Sequence, residues 1–222
     1  MKKLVLALVG IAVMAGSAMA QNYEKNIYGV RAGLNVANLS MDGLPTSSKV
    51  GFHVAGVYQR LLTSSMPLYL ETGLQVSQKG CKLDFGESVK FNAMYLEIPV
   101  MVNYRFNIKD AVTLYPSVGF YYAFGIGGKT KYEGVDYDTD ATVSEKMNTF
   151  DEYGLKRSDL GMRVSATAEW KKFAFSLGYE FGFMNVSQNK PSVTFGEDEE
   201  CFITISPKVK TSNFFVSVGY KF

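Results

Sequence analysis

The chain has 222 residues, 23 basic and 21 acidic, with 16 Phe, 14 Tyr and 21 Gly. That length suits one domain with a sizeable core. The near-neutral balance excludes a nucleic-acid surface, which needs clustered positive charge.

Residues 1–20 read as a signal peptide. Lys2 and Lys3 form a positive n-region, Leu4 to Ala15 an apolar h-region, and Ala18-Met19-Ala20 a small-x-small cleavage site. The mature chain is expected to begin at Gln21, with residues 21–222 forming one domain. A transmembrane helix fits poorly, because the apolar run is short and ends in Gly-Ser-Ala. No later run is long and apolar.

From there the chain alternates with period two, the signature of strands. Eight such segments follow one another: about Ile27–Val36, Val50–Leu61, Leu68–Gln78, Asn92–Phe106, Val112–Gly125, Leu160–Trp170, Phe173–Met184 and Ser212–Phe222. One parity is almost free of charge, as in Phe214, Val216, Val218, Tyr220 and Phe222. The other is rich in Gly, Ala and Ser with a few charges. Connections after the second, fourth and sixth segments are short (Leu62–Pro67, Asn107–Ala111, Lys171-Lys172). The others are long: Ala37–Lys49, Lys79–Phe91, Ile126–Asp159 and Asn185–Thr211.

These features specify an all-β fold, an eight-stranded antiparallel transmembrane β-barrel in meander order. A soluble ligand-binding barrel would instead turn a charged face to water. Aromatics near the strand ends form two girdles, with Tyr28, Tyr58, Tyr104, Phe106, Trp170, Phe173, Tyr220 and Phe222 at the short-turn rim. The expected location is the outer membrane, with periplasmic termini and extracellular long loops. Val193–Phe195 and Phe202–Ile205 could extend the last strands above the membrane, with Glu197-Asp198-Glu199-Glu200 at the tip.

The stretches Val50-Gly51-Phe52-His53-Val54, Leu70-Glu71-Thr72 running to Val76-Ser77-Gln78-Lys79-Gly80, Tyr95-Leu96-Glu97-Ile98-Pro99-Val100 and Val218-Gly219-Tyr220-Lys221-Phe222 stand out. They resemble the small outer-membrane β-barrel proteins of Bacteroidetes, the PorT-like group. The resemblance implies a barrel set in outer-membrane lipid by the barrel assembly machinery, without assigned activity. It offers no catalytic residues to transfer.

The inward parity collects Arg31, Glu71, Glu97, Arg105, Arg163, Glu169, Glu180 and Lys221, four cations and four anions, together with His53. In a narrow barrel each charge needs a partner to offset desolvation, so the set reads as an ion-pair plug, with a selective pore as the alternative. The two-residue turn Lys171-Lys172 places Arg163 opposite Glu180. Glu169 then needs a cation from across the lumen, Lys221 or Arg31. His53 is the only histidine; a metal site would need companions, and an inward His suits no lipid hydrolase. No enzyme, metal or cofactor is expected, and the chain is read as a monomer.

Three expectations concern particular positions. Tyr220 and Phe222 should form part of the assembly signal. Cys81 and Cys201, both on the long-loop side, could form a disulfide. A symmetric turn at Asn107–Ala111 would bring Pro99 and Pro116 nearly opposite one another, weakening that seam, with a bulge plausible there. A surface ligand recognised by loops 126–159 and 185–211 is the alternative function. Tyr132, Tyr137, Phe150 and Tyr153 are otherwise read as aromatics on a hydrated surface.

Overall fold

The computed structural model describes residues 23–41, 46–84, 88–108, 112–135, 142–150, 155–187 and 208–222. The expected signal peptide, the segment Val193–Ile205 with its acidic tip, Cys201, Tyr137 and Tyr153 lie outside these residues.

Among the described residues, eleven strands form one antiparallel sheet: β1 (Asn26–Met41), β2 (Thr46–Thr63), β3 (Met66–Asp84), β4 (Ser88–Tyr104), β5 (Phe106–Ile108), β6 (Val112–Gly127), β7 (Lys129–Val135), β8 (Thr142–Asn148), β9 (Ser158–Trp170), β10 (Phe173–Gly182) and β11 (Val209–Lys221). Eight of them close a barrel. In the barrel each strand pairs with the next barrel strand along the chain, β4 with β6 and β6 with β9, and β1 pairs β11 to close it. β5 continues β4 after an interruption at Arg105, so the two count as one barrel strand. β7 and β8 form a hairpin that extends the wall above β4.

Alternation decides which face meets lipid. Along β11, Phe214, Val216, Val218 and Tyr220 are exposed while Asn213, Phe215, Ser217 and Gly219 are buried. The same division runs through β2, β6, β9 and β10, giving an unbroken apolar outer band. Its lower edge carries ring pairs, Tyr28–Tyr58, Tyr104–Phe106 and Phe173–Tyr220, with centroids 5.1, 4.8 and 5.7 Å apart. The upper edge has Phe120–Phe183 and Tyr179–Phe181. Below the band, the ammonium groups of Lys171 and Lys172 lie over the rings of Trp170 and Tyr220, 5.0 and 5.6 Å from their centroids.

Two readings of the wall need correction. Pro99 and Pro116 do not face one another. Pro99 is opposite Tyr121, and Pro116 is opposite Ala166 on the far side of β6. β5 carries the hairpin down to Ile108↔Val112, so the turn is shorter and its centre moves. The proline break falls instead in the β3–β4 ladder, which lapses between Thr72↔Val100 and Gln75↔Glu97. Proline has no N–H to donate there, and Thr72 Oγ1 donates to the Pro99 carbonyl at 2.9 Å. The β4–β6 irregularity lies higher, between Met94 and Tyr95.

The inner face is also less small than expected. Tyr95, Tyr115 and Tyr121 are among the largest fully buried side chains. Inward glycines make room for rings: a Cβ at Gly178 would sit 2.4 Å from the Phe215 ring, and one at Gly161 2.6 Å from that of Tyr121.

Candidate functional site: the lumen

The lumen is filled in layers, and its middle layer is ionic. Lys79 Nζ lies 2.7 Å from Glu97 Oε1 and 2.6 Å from Glu180 Oε2. Arg163 Nη2 lies 2.8 Å from Glu97 Oε2 and also pairs with Glu180 Oε1. Two cations and two anions from β3, β4, β9 and β10 thus meet across the barrel axis. The register that sets Arg163 opposite Glu180 follows from the Lys171-Lys172 turn, where Phe173 faces Trp170. Neutral amides add a further donor to one oxygen of each carboxylate. Gln75 Nε2 donates to Glu97 Oε2 at 2.8 Å, and Asn213 Nδ2 to Glu180 Oε2 at 3.0 Å. Glu97 and Glu180 have no exposed surface.

The lower layer has two centres. Arg31 and Glu71 form a bidentate pair at 2.7 and 3.0 Å, the geometry in which guanidinium–carboxylate contacts are strongest. Glu169 pairs with Arg105, and its Oε1 lies 3.2 Å from Lys221 Nζ. Lys221 also reaches Glu24 at 3.3 Å. Tyrosines flank the cations: Arg105 Cζ is 4.5 Å from the Tyr115 ring centroid, and Lys79 Nζ 4.8 Å from that of Tyr121. Such contacts gain strength where water is excluded.

The structure therefore gathers all eight of Arg31, Glu71, Glu97, Arg105, Arg163, Glu169, Glu180 and Lys221 along the interior, in three ion-paired groups over two layers. Sequence reasoning missed Lys79, the central cation. The third alternating segment ends at Gln78 and leaves Lys79 to the connection Lys79–Phe91, yet β3 runs on to Asp84. Its shared parity with Gln75 and Ser77 was the available signal. Arg105 as the second partner of Glu169 was missed too. His53 has a packing role: its Nδ1 lies 2.8 Å from Asn35 Oδ1, and its ring stands edge-on to Phe215.

Above the ionic layer the mouth is closed by apolar side chains. Phe150, assigned to a hydrated surface by its sequence, is buried with Leu155 and Val186 against Tyr95 and Tyr121. Its ring is edge-on to Tyr95 at 5.5 Å, and a Cβ on Gly125 would come within 2.4 Å of it. Backbone bonds fix this cap, with Leu155 N donating to Thr149 O at 2.7 Å and Val186 N to Val209 O at 3.0 Å. Cys81 is buried in the same cluster and has no disulfide partner among the described residues. Tyr220 and Phe222 both project outward at the lower rim, 5.7 Å apart, and Phe222 N donates to Tyr28 O.

The outer membrane protein beta-barrel domain family matches residues 19–188 of this sequence. The chain belongs to that family. It is thus an outer-membrane barrel with buried interior ion pairs, as its apolar outer band and ionic core require. Solved structures similar to it include the attachment invasion locus protein Ail of Yersinia pestis, at 17% identity and TM-score 0.42, covering 90% of this chain and 100% of that one. Others are Neisserial surface protein A, at 12% and 0.45, covering 88% and 97%, and OprG of Pseudomonas aeruginosa, at 10% and 0.47, covering 92% and 99%. No curated protein matches the sequence.

Proposed function

We propose that this barrel is a structural, non-conducting element of the outer membrane, and that its ionic and apolar layers together serve as the plug. The observation that carries the reading is the Lys79–Glu97–Arg163–Glu180 cluster, which crosses the axis at contact distance. An eight-stranded interior is only wide enough for its own side chains. Planar-bilayer recordings test it: the protein should give no unitary steps, and regular steps in the intact protein would refute the plug.

In this reading residues 1–20 are removed, the termini and short turns face the periplasm, and the long-strand end faces outward. Short turns at one rim and long connections at the other support that orientation. Insertion is by the barrel assembly machinery into outer-membrane lipid, as a monomer. Tyr220 and Phe222 act as its assembly signal, a role supported by their outward placement at the lower rim. Deleting Phe222 should lower the yield of heat-modifiable protein; unchanged insertion would remove the role. The PorT-like affiliation rests on the Ser77–Gly80 and Tyr95–Pro99 stretches. A Cys81–Cys201 bridge would tie residues 188–207 to the cap, and two free thiols in unreduced, unfolded protein would rule it out.

A further inference from the structure

The chain enters β1 from beneath the lumen. Ile27, the second residue of the strand, points inward and is buried, while Tyr28 faces out and is exposed. The three residues before the strand, Tyr23, Glu24 and Lys25, are held from three other strands. Leu61 N on β2 donates to Lys25 O at 2.9 Å. Tyr69 Oη on β3 donates to Glu24 O at 3.0 Å. Lys221 Nζ on β11 lies 3.3 Å from Glu24 Oε2. The wall runs β11, β1, β2, β3, so at about 4.8 Å per strand Lys221 and Tyr69 stand about 14 Å apart along it. A single residue held from both sides has left the wall and lies across the lower opening. Tyr23 lines one hollow with Pro67 and Arg105, farther round the same rim.

Both residues that hold Glu24 belong to the lower ionic layer. Lys221 also pairs with Glu169, which pairs with Arg105, and the Tyr69 ring centroid is 5.3 Å from Arg105 Cζ. Glu24, Lys221, Glu169 and Arg105 therefore form a chain of alternating charge that runs from the opening into the barrel. Exposure falls along it: the Glu24 side chain is 60% exposed, Lys221 21%, Glu169 8% and Arg105 7%. The contacts of residues 23–25 are two neutral hydrogen bonds and one partly exposed ion pair, groups that water can replace at modest cost. Breaking them opens no strand ladder, because these residues precede β1.

We propose that Tyr23–Lys25 is a strap that shuts the lower opening and is released without unfolding the wall, so that the Glu24–Lys221 contact sets access to the Arg105–Glu169 centre from the periplasm. The proposal rests on the plug and the orientation given above, and adds to them a closure that opens. Local release of this kind needs far less free energy than global unfolding.

Thiol labelling of the folded protein in nanodiscs tests this. With Cys81→Ala and Cys201→Ala as background, Ser176→Cys sets a reporter on the buried inward side of β10, between Ala174, which faces Glu169, and Glu180. A neutral maleimide should label it slowly while the strap is intact. Glu24→Gln keeps both main-chain bonds and should speed labelling about threefold. Adding Tyr69→Phe, which keeps the ring beside Arg105, should bring the gain to about tenfold. High salt should speed labelling with Glu24 present and not with Glu24→Gln. A second reporter, Ala123→Cys beneath the upper cap, should label at one rate in all strap forms. Heat-modifiability checks that every variant is folded. Equal rates at Ser176→Cys in all strap forms, or equal gains at both reporters, would overturn the strap. Amide exchange in the protein with its own cysteines reads the same event: Leu61 should exchange faster in Glu24→Gln/Tyr69→Phe and Val186 should not. An unchanged Leu61 would also overturn it. Bilayer recordings separate the two closures. Glu24→Gln/Tyr69→Phe should give no unitary steps, because the middle layer stays in place. Steps in that variant and not in the intact protein would overturn the middle layer as the plug and leave the strap as the closure.

Discussion

The middle and the mouth of this lumen are closed by opposite means. In the middle, Lys79, Arg163, Glu97 and Glu180 project from four strands whose register is fixed by the hydrogen-bonded ladder. At the mouth, Phe150, Leu155 and Val186 come from connections and bury apolar area against Tyr95 and Tyr121. The same two tyrosines serve both layers: Lys79 lies over their rings from the ionic side, at 5.9 and 4.8 Å, and the cap rests on them. Ion pairs in such a site require complete partnering and fixed geometry, because a stranded buried charge is costly. An apolar cap tolerates looser placement, since burial is non-directional. The rigid wall therefore carries the charges and the connections carry the grease.

If that division holds, the largest effect comes from breaking the ionic layer. Glu180→Ala leaves Lys79 and Arg163 with only Glu97 between them, and global stability should fall by about 3–5 kcal/mol, read by urea unfolding in lipid vesicles. Arg163→Ala should cost a comparable amount, and the double variant less than the sum of the two. Additive losses would show that the side chains do not act as a unit.

Overpacking the wall behind that layer should come next. A Cβ at Gly178 would meet the Phe215 ring at 2.4 Å and the Val164 carbonyl at 2.6 Å. Gly178→Ala should cost about 1–3 kcal/mol, and Phe215→Leu in the same chain should recover part of it. No recovery would locate the clash at the Val164 carbonyl.

Breaking the cap should act locally. Phe150→Ala is expected to change global stability by less than about 1 kcal/mol while speeding amide exchange at Leu155 and Val186, because connections open without unfolding the barrel. A global loss as large as that of Glu180→Ala would erase the distinction between the layers.

The smallest effect lies outside both regions. Lys171 has φ 57°, the left-handed region that favours glycine. Lys171→Gly should raise stability by about 0.5–1 kcal/mol and leave the lumen untouched. A loss instead would show that the Lys171 contact with Trp170 outweighs the backbone strain.

The sequence by itself determined the barrel. Strict alternation in eight segments decides which parity meets lipid, since a slip of one residue would turn every apolar side chain inward. The two-residue turn at Lys171-Lys172 likewise sets Arg163 against Glu180, because local chain geometry transmits register along a hairpin. Lys79 was hidden because apolar alternation stops at Gln78, whereas its strand continues because β2 and β4 are there to pair with it. The Glu97–Glu180 meeting across the axis, and Arg105 as a partner of Glu169, depend on barrel closure, which no local pattern records. Phe150 was read as surface because its neighbours in sequence are polar, and burial is decided by neighbours in space. Only the tertiary structure brought 150, 155 and 186 over the mouth.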